Sequence, residues 1–461
     1  MNSEEYKICF TNFKGGIKLK KKIIISVAVV ILLILVGVGI WLGISKKSNK
    51  TETEQLPSQE QKGDIGENID NPEGEQNADE EQSKDPNVEE PKPNESNENQ
   101  QQPEQKPNTE KPKFDATSTT NDLFGRYYAR AEEIVSSMTL EEKVGQMFLV
   151  RYPSSYPTSQ IKSENPGGYI LFYKDFDNKT KESIKAELAS NQANSKIKMF
   201  FAVDEEGGIV CRVSNHTAFR SSKFESPQSL YAKGGIQAIV NESYEKSDLL
   251  KSIGLNMNLA PVADVSTSSS DFIYARTLGR DATTTANYIS EVVKAMRGKN
   301  IISSLKHFPG YGNNVDTHTG IAIDNRSYEN FTTNDFLPFK AGISAGAPTI
   351  LVSHNIIKCM DANLPASLSS SVHQVLRKNL GFTGLIITDD LAMDAVKSYA
   401  QNGEAAVKAV QSGNDIIITS DFKNQKQQVL NAISRGEISE ETINTAVRRI
   451  LACKLAYGII Q

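Results

Sequence analysis

Three regimes of hydrophobic and polar patterning follow one another along the chain. Ile23 to Ile44 form an unbroken run of 22 uncharged, mostly apolar residues. At about 1.5 Å per residue such a run crosses a hydrocarbon core of about 30 Å. It predicts a transmembrane helix over 23–44, with Trp41 near its far end, where interfacial aromatics sit. The run exceeds the roughly 7–15 residues of a signal-peptide core, no small-x-small cleavage pattern follows, and no Cys follows to carry a lipid. An uncleaved anchor is expected. Lys14, Lys18, Lys20, Lys21 and Lys22 precede it and only Lys46, Lys47 and Lys50 follow closely, so residues 1–22 are expected to be a cytoplasmic tail with everything after the span outside. From Ser48 to Lys113 the chain is mostly Glu, Gln, Asn, Pro and Lys, without one aromatic residue and with eight of the 17 prolines. Too little apolar surface is available to offset chain entropy, so residues 45–116 are expected to be a disordered extracellular tether.

From Thr117 onward the pattern changes again. Short apolar runs alternate with helix-period stretches, the signature of a βα-repeating α/β domain over 117–461. Strands are predicted near 147–152, 168–172, 199–204, 257–261, 302–308, 349–354, 385–389 and 416–420. Helices are predicted over 183–195, 236–253, 284–299, 370–380, 423–435 and 440–457, the last two closing the domain with no second domain after them. Eight strands with intervening helices predict a TIM (β/α)8 barrel rather than an open doubly wound sheet. No G-x-G-x-x-G follows a strand, so a dinucleotide fold lacks its fingerprint.

Composition sharpens this partition. The 461 residues carry 51 Lys+Arg against 56 Asp+Glu, for a net charge of −5. The charge is segregated: residues 1–22 hold six Lys and two Glu, 51–113 hold 18 acids and six Lys, and the chain from Phe114 onward is neutral. A nucleic-acid binder resting on a basic domain is excluded. Four cysteines are too few and too scattered for a disulfide framework. Cys211, Cys359 and Cys453, odd in number outside the membrane, sit in or beside apolar stretches and are expected to be packing residues.

The candidate chemistry lies at strand ends, where barrels of this kind place it. The run FFAVD ends in Asp204, SSLKHFPGYG places Lys306 and His307, TILVSH ends in His354, and GLIITDD ends in Asp389 and Asp390. Taken singly, a strand-end Asp is as readily a helix N-cap. Together they describe a cleft of carboxylates, imidazoles and a lysine suited to hydroxyl-rich ligands and acid–base work. In the glycine- and proline-punctuated loop Lys306 to Gly320, Asp316 and His318 are one residue apart, close enough to hydrogen-bond; an Asx-type turn with an exposed His is the alternative.

The run KHFPGYGNNVDTH resembles the signature of the glycoside hydrolase family 3 β-N-acetylglucosaminidases, K-H-F-P-G-H-G-x(4)-D-[ST]-H. DEEGG at 204–208 looks like that family's D-Q-E-G-G, and NLAPVADV at 258–265, Arg276 in YARTLGRD and TDDLAM at 388–393 follow in the family's order. The resemblance covers residues 125–461 and implies a TIM barrel. It implies Asp389 as catalytic nucleophile, His318 as general acid/base and Asp316 as its partner, with Asp204, Arg212, Arg276, Lys306 and His307 holding the terminal sugar. Side chains alternate along an ideal strand, so only one of Asp389 and Asp390 is expected to face the sugar, and the motif selects Asp389. Three departures stand out: Tyr311 replaces a His, Ile209 replaces an Arg, and three residues rather than four separate Gly312 from Asp316.

The implied activity is retaining hydrolysis of terminal β-linked N-acetylglucosamine, with no metal or other cofactor. A family 3 β-glucosidase or xylosidase, which takes its acid/base from a following domain, and a non-catalytic wall-binding barrel are the rivals. An anchored extracellular enzyme would meet peptidoglycan-derived muropeptides as its carbohydrate partner.

Overall fold

The computed structural model of the protein describes residues 122–152, 163–314, 322–393 and 404–461, with Gly320, Val396 and Tyr399 between them. The expected tail 1–22, span 23–44 and linker 45–116 lie outside the described residues, as do Asp316 and His318. Among the described residues no helix is long and apolar enough to cross a membrane.

Eight strands carry the fold: β1 (Phe148–Arg151), β2 (Gly168–Leu171), β3 (Phe200–Val203), β4 (Met257–Asn258), β5 (Ile302–Phe308), β6 (Thr349–Val352), β7 (Leu385–Thr388) and β8 (Ile417–Thr419). Each pairs in parallel with its neighbours in chain order, and β8 pairs with β1. A parallel bridge between Ile387 and Ile416 joins β7 to β8, so the sheet closes on itself. This is the expected TIM-type barrel. GYIL, FFAV, TILV and LIIT are buried at every position. Barrel strands are covered on both faces, which is why they read as continuous apolar runs rather than alternating ones.

Helices α1 (Tyr128–Ser136) and α2 (Leu140–Gln146) precede the barrel, and α3 (Lys181–Asn194) to α10 (Glu440–Ala456) follow strands around its outside. α10 shows the local logic. Ser439 caps it by accepting the Thr442 amide, Glu440 and Glu441 sit in its first turn, and Ile443, Val447, Ile450, Leu451 and Cys453 form its buried stripe. Two predicted helices differ from expectation. The one over 236–253 is the second half of α4 (Pro227–Ser252), which begins at the Ser226 cap and is interrupted at Gly234 and Gly235, where φ reaches +62° at Gly235. The one over 370–380 is α-helical only from Ser370 to Gln374 and widens to a π turn over Val375–Asn379.

Two polar knots close the end of the barrel opposite the strand C-termini. Asp415 accepts Arg377, Arg449 at 2.9 Å and the Ile386 amide at 2.9 Å. Lys454, fully buried, donates to Gln146 Oε1 at 2.7 Å and the Gly167 carbonyl at 2.9 Å, beneath the Phe200 ring. Burial pushes the Lys454 ammonium down to about 7. Cys211 and Cys453 are buried, as packing residues should be, but Cys359 is exposed. It lies in the turn after the short strand Ile356–Ile357, outside the barrel wall, so adjacency to an apolar run did not bring burial with it.

Candidate active site

All eight strands run the same way, so their C-terminal ends share one rim, and a cleft of about 320 Å³ opens there. Six of the eight expected site residues line it: Asp204, Arg212, Arg276, Lys306, His307 and Asp389. The remaining two, Asp316 and His318, lie outside the described residues.

The segment after β3 sorts its three acids by strand alternation. Asp204 and Glu206 face the cleft, whereas Glu205 turns back into the hairpin formed by Glu205–Gly207 and Val210–Cys211. There Glu205 accepts the backbone amides of Arg212 at 2.8 Å, Val213 at 2.7 Å and Ser214 at 3.2 Å, and the Ser214 hydroxyl. This buried carboxylate fixes the chain that delivers Arg212 to the cleft. Arg212 Nε is buried without a hydrogen bond among the described residues, and its guanidinium lies 5.8 Å from the Phe172 ring centroid. An aromatic face beside a cation suits a ligand with one apolar and one polar side.

Lys306 is the hub of the floor. Its Nζ donates to Asp204 Oδ1 at 2.7 Å and lies 2.6 Å from Glu206 Oε1. Arg276 grips the same Glu206 with two bonds of 3.0 and 2.7 Å. Burial opposes charge on Glu206, but Arg276 and Lys306 outweigh it and hold the carboxyl well below the usual range. Burial likewise opposes the Arg276 charge, and Glu206 more than restores it.

His307 donates or accepts according to its tautomer, and its neighbours choose. Nδ1 lies 2.7 Å from Asp264 Oδ2, a carboxylate, and Nε2 lies 3.1 Å from Arg276 Nη2, which can only donate. The proton therefore sits on Nδ1, and Nε2 presents its lone pair. Asp264 also accepts the His307 amide at 3.1 Å and the Tyr311 amide at 2.8 Å. Tyr311 is only 1% exposed and stands outside the cleft lining. It stands edge-on against the His307 ring at 5.2 Å and packs on Phe272, which forms an outer wall of the cleft.

At the end of β7 both Asp389 and Asp390 reach the cleft lining, rather than one alone. Regular alternation stops at Thr388, where β7 ends. Asp389 Oδ1 accepts the Asp390 amide at 2.8 Å, and Asp390 Oδ1 caps the next turn through the Ala392 amide at 2.9 Å. His354 does not join the cleft lining. It is fully buried behind β7, with Nδ1 2.7 Å from Ser367 Oγ and Nε2 3.1 Å from the Asp390 carbonyl. Its place is to support the turn that presents Asp389.

Sequence reasoning assigned no role to Glu206 or Asp264. Both stand within quoted motifs, DEEGG and NLAPVADV, and an acid at a barrel strand end was the available signal. The arrangement as a whole offers fixed donors and acceptors for several hydroxyls, apolar walls at Phe172, Phe272 and Met393, and an acid at Asp389. Such a lining has the size and the donor and acceptor set to suit a saccharide ring, with a carboxylate placed where a displacement at the anomeric carbon would need one.

Comparison with known proteins agrees with this geometry. The sequence profile described as the glycosyl hydrolase family 3 N terminal domain matches residues 139–453. A protein named beta-hexosaminidase A from Pseudoalteromonas piscicida is 28% identical over 62% of this chain and 53% of its own length. A beta-hexosaminidase from Stenotrophomonas maltophilia is 30% identical over 56% of this chain and 77% of its own. A solved glycoside hydrolase family 3 beta-N-acetylglucosaminidase from a Paenibacillus species superposes with a TM-score of 0.66 at 27% identity, covering 70% of this chain and 63% of that one. The chain thus spans about half the length of the Pseudoalteromonas protein and under two thirds of the Paenibacillus one.

Proposed function

Because this chain belongs to glycosyl hydrolase family 3, we propose that it is a retaining exo-β-N-acetylglucosaminidase. The observation that supports this most is the convergence of Asp389 with Asp204, Arg276, Lys306 and His307 on one cleft of monosaccharide scale. In this reading those four, with Arg212, hold the hydroxyls of the terminal sugar. The Asp389 carboxylate attacks the anomeric carbon and forms a glycosyl–enzyme, while His318 gives its proton to the leaving oxygen. Water then attacks the same carbon, His318 takes its proton back, and the sugar leaves with its β configuration retained. Asp316 next to His318 would raise the imidazole's affinity for the proton it must deliver.

The test is release of N-acetylglucosamine from its chromogenic β-glycoside, with β-glucoside and β-xyloside as controls. Turnover confined to the N-acetylglucosaminide supports the reading. A preference for either control assigns the site to the glucosidase or xylosidase class, and no turnover of any supports a binding barrel.

The proposal extends to placement. The apolar run 23–44 would anchor the chain in the cytoplasmic membrane with its N-terminus inside. The acidic segment 45–116 would let the barrel range about 45 Å from the surface. Muropeptides released from cell-wall glycan are the substrates such an enzyme would meet. Activity that sediments with carbonate-washed membranes is expected, and fully soluble activity from the intact chain contradicts the anchor.

A further inference from the structure

Resting on the assignment of His318 as proton donor, we propose that Arg326, with Asp324, Asp335 and Asn314, forms a positioning clamp for the loop that carries it. None of these four lines the cleft. Asn314, Asp324 and Arg326 lie at the neck of the loop, where the chain leaves β5 through Gly310 to Asn314 and returns at Asp324 to Arg326, and Asp335 meets them from the helical segment Phe331–Asp335 that follows.

Every nitrogen of the Arg326 guanidinium is used there. Nη1 donates to both oxygens of Asp335 at 2.9 Å. Nε lies 3.1 and 3.0 Å from the two Asp324 oxygens, and Nη2 donates to Asp324 Oδ2 at 2.7 Å. Nη2 also reaches across the neck to the Gly310 carbonyl at 3.0 Å. Asn314 Nδ2 completes the crossing, donating to Asp324 Oδ2 at 2.7 Å and to the Tyr311 carbonyl at 2.8 Å. The outgoing and returning strands of the loop are therefore tied to each other by side chains at two points.

The outgoing strand is shaped to receive the clamp. Gly312 has φ +54°, and a Cβ there would stand 2.5 Å from the Arg326 guanidinium carbon. Gly310 has φ +127°, and its Cβ would stand 2.4 Å from Asp335 Oδ1. Between these glycines lies Tyr311, whose amide is held by Asp264 and whose ring stands against His307. One short segment thus connects the clamp on one side to the sugar-holding imidazole on the other.

Asp324 and Asp335 are each about 1% exposed, and both pair with the Arg326 guanidinium. Two buried carboxylates on one guanidinium are a poor device for stability alone, since desolvation consumes most of the attraction. What a planar fork with five donors does supply is a fixed geometry between the groups it bridges. Here those groups are the two ends of one loop. The chemical consequence is selective: the clamp acts through His318, so in the first step, which kcat/KM reports, it bears on leaving-group protonation and not on attack by Asp389.

The test compares kcat/KM on two N-acetylglucosaminides, a disaccharide whose leaving group needs a proton and a dinitrophenyl glycoside whose leaving group does not. Arg326→Lys keeps the charge but cannot bridge both acids and the Gly310 carbonyl. Its disaccharide kcat/KM is expected to fall about 10- to 100-fold, with less than about threefold change on the aryl glycoside. Combined with His318→Ala, it should add no further loss on the disaccharide, because both remove the same function. Asn314→Ala, which leaves the buried acids paired, should show the same selectivity at smaller size. Equal losses on both substrates, no loss on either, or a loss that multiplies with His318→Ala would each overturn the clamp while leaving the catalytic assignment in place. A His318→Ala enzyme with full disaccharide turnover would instead overturn the donor assignment, and the clamp's role with it.

Discussion

At the scale of single residues the site is held by charges that cannot be moved one at a time. Glu206 neutralises Arg276 and Lys306 together, so Glu206→Gln leaves two buried cations with one fewer counter-charge. Breaking such a pair typically costs about 3–5 kcal/mol; a Tm many degrees lower and a KM for the glycoside raised about tenfold or more are expected, and an unchanged KM would show that Glu206 does not set the positions of Arg276 and Lys306. Lys454 makes the opposite kind of prediction. Its folded-state value near 7 lies below that of an unfolded lysine, so in the window between them the unfolded chain binds more protons and stability rises with pH. The penalty is present in full below about pH 7 and fades toward pH 10, at up to about 1.4 kcal/mol per pH unit. Lys454→Met should flatten this rise in denaturation curves taken from pH 6 to 9, and a variant with the wild-type slope would contradict it. The cleft residues inferred from strand ends were legible because position on a barrel strand alone brings them to one rim. Glu206 and Asp264 were not, because their partners Arg276, Lys306 and His307 lie some 40 to 100 positions away and no local pattern records the pairing.

At the scale of elements, the same physics explains what could be read and what could not. Most of the eight barrel strands read as apolar runs because both their faces are covered, whereas β5, ISSLKHF, is half polar and brings Lys306 and His307 to the cleft. The hairpin Glu205–Cys211 and the parallel pair Ile323–Asp324 with Ile356–Ile357 were not anticipated, since two or three residues carry no period. Helix starts depend on caps, and the Ser226 cap before Pro227 is masked in the sequence because Gly234 and Gly235 interrupt the helical pattern behind it. The final helix rests on a clearer cap. Ser439→Ala removes the acceptor for the Thr442 amide and should cost about 1 kcal/mol of unfolding free energy without altering kcat. A kcat that falls in step with stability would mean that α10 bears on the cleft directly rather than closing the far end.

At the scale of the whole molecule, the net charge of −5 describes no part of it. A basic end, an acidic segment and a neutral barrel sum to that figure, and only the barrel, within 122–461, has a described structure. Within the cleft of the neutral barrel, Asp204 and Glu206 are paired against Lys306 and Arg276, and Asp389 stands at the end of β7. In the proposed mechanism Asp389 is the nucleophile, its carboxylate oxygen forming the bond to the anomeric carbon. The most direct measurement is peptide mapping of the intact enzyme after reaction with a slow fluorinated N-acetylglucosaminide. The proposed mechanism predicts a single sugar adduct on Asp389, lost together with turnover in Asp389→Ala. An adduct on Asp390 or elsewhere, or full turnover by Asp389→Ala, would contradict it.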